Sequence, residues 1–161
     1  MIFGSNRDFN LLLGIQRELV HDVIEQEIIY RKLSLEDIHA NIYGEALEKI
    51  YLSPVKLNCM ITRGDQVVDI SEFGPDLGRT ASFAMIRRDL QDVSILPEVG
   101  DIVQWQNDFY EVDTVRENSL FLGRDNNYNL TSYGSSYGGS LSIILDTHLT
   151  RADRVGISEV R

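Results

Sequence analysis

Residues 96–115, LPEVGDIVQWQNDFYEVDTV, constrain this chain more than any other stretch. Pro97, Gly100 and Asp101 signal a turn, and Ile102, Val103 and Trp105 behind it read as a strand. Gln106, Asn107 and Asp108 form a tight polar turn, and residues 109–115 read as the return strand. There Phe109, Glu111, Asp113 and Val115 share one side, Tyr110, Val112 and Thr114 the other. Two β-rich runs joined by a few turn formers make a hairpin. A lone hairpin cannot bury its apolar face, so other strands must pack on it. Trp105, with Phe109 or Tyr110, then belongs to a core hairpin. The fold class that follows is mainly β with an N-terminal helix: a small antiparallel β-barrel, SH3-like or similar, with one long protruding loop and extended termini.

The rest of the chain supplies the helix and the further strands. Residues 1–7 read as a mobile arm. Asp8 or Asn10 can cap a helix running to about residue 26, with Phe9, Leu12, Leu13, Leu19, Val20, Val23 and Ile24 near helical spacing. Gly14 weakens that helix by about 1 kcal/mol relative to Ala, so either the helix needs a packing partner or the glycine marks close approach to a neighbour. Residues 27–33 form a short strand, 34–38 a turn or one helical loop, and 46–50 a possible short helix. Residues 55–62 alternate, placing Val55, Leu57, Cys59 and Ile61 on one face. Arg63-Gly64-Asp65 reads as a turn and residues 66–70 as a short strand. Residues 72–79, with two glycines and a proline, read as a loop. Residues 80–87 form a strand and 88–95 lead to the hairpin. Residues 119–122 and 141–145 are further strands, and 146–161 a polar tail.

Between those last two strands, residues 124–140, RDNNYNLTSYGSSYGGS, are nearly free of aliphatic side chains and cannot be core. Tyr128, Tyr133 and Tyr137 suit contact with a partner, because tyrosine offers large contact area at low entropic cost. A solvated surface loop is the alternative.

With 161 residues, 43 % of them hydrophobic, the chain fits a single domain with a real core. Its formal charge of -10 argues against gripping phosphates, which relies on Lys and Arg, and suits either plain solubility or a surface that DNA passes without sticking. No apolar run approaches the roughly 20 residues of a membrane helix. The start, MIFGSNRDFN, lacks a secretion signal, so maturation in the cytoplasm is expected. Cys59 is the only cysteine and reads as a small core residue. His21, His39 and His148 have no metal-ligand spacing, and no nucleophile elbow, zinc-protease pair or dinucleotide loop is present. The sequence therefore offers no catalytic, cofactor or metal residue.

Tyr43-Gly44-Glu45, preceded by Asp37-Ile38 and followed by residues 46–51, resembles a stretch in the neck (head-completion) proteins of contractile-tailed bacteriophages. In that family a tyrosine-bearing strand precedes a Gly-Glu pair and a Lys-rich segment; here Ile29-Tyr30 and Lys49 stand in those places. A Pro-x-x-Gly-Asp turn entering an aromatic hairpin is matched by Pro97, Gly100, Asp101, Trp105, Phe109, Tyr110 and Glu111, and a Phe-Gly segment by Phe73-Gly74. The resemblance spans roughly residues 27–123, in a chain shorter than the larger members. It implies a non-enzymatic virion protein, a homo-oligomeric ring of six- or twelve-fold symmetry. The ring would lie between a portal or adaptor protein on the head side and a tail-terminator or tail-tube protein on the tail side. Double-stranded DNA would pass through it without sequence-specific binding, and no membrane is involved. A tail-terminator or other head-tail adaptor is the nearest alternative. A small soluble enzyme or ligand-binding barrel is the alternative of a different class.

Overall fold

The computed structural model describes residues 6–34, 49–71, 74–117, 141–151 and 155–156. Helix α1 (Asn6–Glu18) passes into a π-helical segment (Leu19–Ile24). Then come β1 (Glu27–Arg31), β2 (Val55–Ser71), β3 (Gly74–Ile86), α2 (Arg87–Asp92), β4 (Ile102–Trp105), β5 (Asp108–Arg116) and β6 (Ser142–Thr150). The strands form a closed antiparallel barrel in the order β1-β2-β3-β6-β5-β4, with β4 pairing back onto β1. The mainly β barrel with an N-terminal helix expected from the sequence is the fold.

Strand alternation builds the core. Ile28 and Tyr30 point inward from β1, Leu57 and Cys59 from β2, and Phe83 and Met85 from β3. Val103 and Trp105 of β4, Tyr110 and Val112 of β5, and Ile143 and Leu145 of β6 complete the ring of side chains. Phe83 sits at its aromatic centre, edge-on to Tyr110 (centroids 5.5 Å apart) and to Trp105 (6.4 Å). Each such edge-to-face pair contributes about 0.5–1.5 kcal/mol beyond the area it buries.

The turn before β4 is fastened by a buried carboxylate. Gly100 takes a left-handed φ of 92°, which a side chain would resist. That conformation delivers Asp101 into the barrel wall. Its Oδ1 accepts the Leu33 N–H at 2.8 Å, and its Oδ2 accepts the Glu98 N–H at 2.8 Å and the Tyr30 hydroxyl. Burial and the adjoining Asp101 raise the Tyr30 phenol well above its ordinary range, so it stays a donor. The Pro-x-x-Gly-Asp pattern thus ties β1 to the start of the hairpin.

Several expectations need correction. Trp105 pairs with Asp108, so the hairpin turn is Gln106-Asn107 alone, with Gln106 left-handed (φ 56°) and Asp108 already in β5. The two-sided division of β5 holds only to Val112. A bulge between Val112 and Thr114 shifts the register, and Val115 packs on the core with Tyr110 and Val112. Phe109 lies outside that core, in a small cluster with Ile102 and Val155. Arg63-Gly64-Asp65 is not a turn, and residues 74–79 are not a loop: β2 and β3 continue as paired strands, with a bulge between Arg63 and Gln66. The stretch before the hairpin contains α2. Strand β6 runs on to Thr150, through Asp146 and Thr147, so the polar tail cannot begin at residue 146. Thr147 is tolerated inside because its hydroxyl donates to the Ala81 carbonyl at 2.8 Å. Helix α1 starts at Asn6, inside the stretch read as a mobile arm.

Candidate functional site

Around the closed barrel itself the described strands pair on both sides, so contacts with partners are sought on what extends beyond it. Two projecting features offer themselves among the described residues: the outer part of the β2–β3 hairpin and the N-terminal helix.

The outer hairpin is a two-stranded arm. Gln66 to Ser71 pair with Arg79 to Gly74 and with no other described strand. Its root is fixed. The Arg63 guanidinium lies 4.4 Å over the Trp105 ring, a cation–π contact that orients the bulge. Gly64 sits directly beneath Thr80, where an added Cβ would come within 2.1 Å of the Thr80 Oγ1. Arg79 reaches across the barrel mouth to the Asp108 carboxylate at 3.2 Å and back to the Gln66 Oε1 at 3.3 Å. Beyond this root Val67 and Val68 remain 63 % and 55 % exposed. An isolated two-stranded ribbon is at best marginally stable in water.

The N-terminal helix lies at the other end of β3. Leu13 and Val20 pack onto Ile86 and Leu141. A polar latch fastens the π-helical turn. Asn58 Nδ2 donates to His21 Nδ1 at 2.8 Å, so the ring carries its proton on Nε2 and donates it to Asp89 Oδ2 at 2.7 Å. Arg17 lies 3.1 Å from both Asp89 and Asp92 as an ion pair, and the Asp89 carboxylate is nearly buried. Glu25 closes the segment in a left-handed conformation, its N–H bonding the Val20 carbonyl at 3.2 Å. On its open flank the helix shows Leu11, Ile15, Leu19 and Val23, four residues apart and 63, 52, 47 and 72 % exposed. Glu18, Asp22 and Glu25 are exposed alongside. Leu19 and Val23, expected on the packed face, therefore form part of an exposed ridge. The i, i+4 ladder was readable in the sequence, but Leu12, Leu13 and Val20 interleave with it and blur the two faces.

Of the residues singled out from sequence, Trp105 and Tyr110 belong to the main core and Phe109 to the outer cluster with Ile102 and Val155. Tyr128, Tyr133 and Tyr137 lie outside the described residues, as do Tyr43-Gly44-Glu45, Asp37-Ile38 and Phe73. Cys59 is buried against the core, and burial pushes its thiol up to about 12, which makes it a poor nucleophile. Among the described residues no group of three or more His, Cys, Asp or Glu could hold a metal ion, and no helix is long and apolar enough to cross a membrane. No protein-family model matches the chain, and no curated protein matches it in sequence.

Proposed function

We propose that the chain is a structural, non-enzymatic subunit of the neck of a contractile-tailed phage. Copies of it form a ring that joins the portal side of the head to the tail and helps retain the packaged DNA. The observation that carries this reading is the placement of apolar surface. The barrel buries a core of its own, while the arm and the helix keep Val67, Val68, Leu11, Ile15, Leu19 and Val23 exposed, alongside further exposed apolar residues such as Met60, Leu96 and Val99. Surfaces of that kind on an otherwise satisfied domain mark protein–protein contacts. The charge pattern agrees with passage of DNA without capture. Arg17, Lys32, Lys49, Lys56, Arg79 and Arg116 each lie against an Asp or Glu, which leaves fewer cations among the described residues to engage phosphates. The resemblance of the Pro97–Gly100–Asp101 turn and its aromatic hairpin to neck proteins supplies the biological setting.

The test is a reconstruction of the neck of purified virions from the genome that encodes the chain. The expected result is several copies arranged cyclically between portal and tail tube. Absence from particles, or a single copy elsewhere in them, would reject the reading. Neighbours found only on the tail tube would move the assignment to a tail terminator.

A further inference from the structure

We propose that the outer wall of β4 and β5 is a docking site for the segment around Val155, and that this segment exchanges between copies, so that the site is filled from its own chain or from a neighbour. The inference goes beyond the neck reading and does not depend on it, since it needs only a second copy of this chain.

Ile102 and Phe109 face away from the barrel core. Val103 and Trp105 point inward from β4, and Tyr110 and Val112 from β5, so alternation turns Ile102 and Phe109 outward. An apolar pair on the outside of a barrel would ordinarily meet water, yet these two are 0 and 3 % exposed. Among the described residues, what packs on them is Val155, itself 1 % exposed, with Tyr51 alongside. The occupant of the site is therefore seen in place, and it is held at one point. Of the described residues that follow β6, Arg151 and Gly156 are exposed and Val155 alone is buried. Gly156 turns the chain at a left-handed φ of 68°, with no described atom within 4 Å of where a Cβ would stand.

The rim of the site explains why the segment can leave. Arg31 lies opposite Ile102 on β1, Thr150 lies opposite Phe109 on β6, and Tyr51 packs on the cluster. Each carries a buried polar atom with no hydrogen-bond partner among the described residues: Arg31 Nε, Thr150 Oγ1 and Tyr51 Oη. Three of the six such atoms in the described structure thus gather around this one small cluster. A buried donor or acceptor left unpaired loses its hydration and gets nothing back. Docking therefore gains one apolar side chain while it keeps polar atoms from water, a balance that favours a reversible contact over a permanent one. The segment of a second copy has the same sequence, so exchange needs no contact that the closed chain lacks. Reach restricts the geometry. The five residues from Thr150 to Val155 span at most about 18 Å when extended, so the donating barrel must lie directly against the receiving wall.

Complementation between two variants of the full chain tests this. Val155→Asp spoils the segment and leaves the wall intact, whereas Phe109→Asp spoils the wall and leaves the segment intact. Mixed, the two are expected to sediment as a one-to-one complex beyond whatever each forms alone. A synthetic peptide of residues 150–161 is expected to bind Val155→Asp saturably and the parent chain hardly at all, because the parent's own segment holds the site at high effective concentration. The same peptide carrying Val155→Asp is expected not to bind. Where Asp at position 109 prevents folding, Phe109→Ala takes its place in the mixture, and the peptide measurement needs only Val155→Asp. Folded variants that form no mixed complex would overturn the exchange, whether or not the peptide binds. Unfolding of both Val155→Asp and the milder Val155→Ser would overturn it too, because the segment would then be part of the barrel's cooperative fold. Reconstruction of the neck decides the connector reading separately, so the failure of one leaves the other standing.

Discussion

Trp105 links the core to the arm, since its ring meets Phe83 inside the barrel and the Arg63 guanidinium at the mouth. Truncating it removes both interactions and leaves a void that the closed barrel cannot collapse around. Trp105→Ala is expected to cost about 3–5 kcal/mol in denaturant unfolding. An unchanged midpoint would count against a packed barrel. A second expectation concerns alkaline pH. Burial pushes the Cys59 thiol from an ordinary 9.0 up to about 12, and burial with the nearby Glu111 and Asp101 carboxylates pushes the Tyr51 phenol from 10.0 up to about 12. In each case the fold keeps the neutral form, and the unfolded chain loses its proton more readily. The stabilisation is complete below the ordinary values and is lost as pH climbs toward the raised ones. Melting temperature should therefore fall from about pH 9 upward. In Cys59→Ala the curve should stay flat to about pH 10, where the phenols begin to act, because the thiol is the only one of these groups that starts at 9.0. A parallel decline in both proteins from pH 9 would contradict the assignment.

At the scale of elements, α1 and the arm are each held by a few polar contacts in place of a broad packed face. The helix depends on Asp89, which takes His21 and approaches Arg17, and on the small cluster of Leu13 and Val20 with Ile86 and Leu141. Asp89→Ala should loosen this unit locally. Hydrogen exchange is expected to rise across residues 6–24, while amides of β3 and β6 keep their protection. Equal loss of protection throughout would mean that the helix is part of the barrel's cooperative unit. The strands that surround the core were legible because one buried face imposes period-two alternation, as in Leu57 and Cys59 or Ala81, Phe83 and Met85. The arm was not legible for the same reason reversed. Val67 and Val68, on its two faces, are both exposed, so no buried side imposes a pattern there. Arg63-Gly64-Asp65 and the glycines and proline of residues 74–79 then carried the signal of turns, while the two strands ran on as a pair through a bulge at Gly64-Asp65. Helix α2 is six residues long, too short to show a period. Strand β6 was cut short because Asp146, Thr147 and His148 look like solvated chain, although Thr147 is buried and Asp146 accepts from Ser82 at 2.7 Å.

For the molecule as a whole, closure depends on pairings distant in sequence, β1 with β4 and β3 with β6, and the neighbouring pair β5 and β6 bears on residues 124–140. Strands β5 and β6 are antiparallel, in a register that includes Arg116 opposite Ile144. The end of β5 and the beginning of β6 are therefore already side by side, and a plain hairpin connection of about 2–5 residues is usual between such strands. The chain places more than twenty there. Composition gives those residues Tyr128, Tyr133 and Tyr137 among Gly, Ser and Asn, with little to add to a core. Replacing residues 128–139 by a short Gly-Ser linker should therefore leave the barrel intact, with a melting temperature changed by less than the roughly 2–4 °C that corresponds to 1 kcal/mol in a domain of this size. If the segment serves partners of the ring, the cost should appear in assembly instead: fewer filled, tailed particles, or particles that leak DNA. Repetition around a ring would multiply the effect of removing even a weak interaction from each copy. A large drop in melting temperature would place the segment in the fold itself. Normal yield and DNA retention with the shortened chain would leave Tyr128, Tyr133 and Tyr137 as solvated residues that serve no partner.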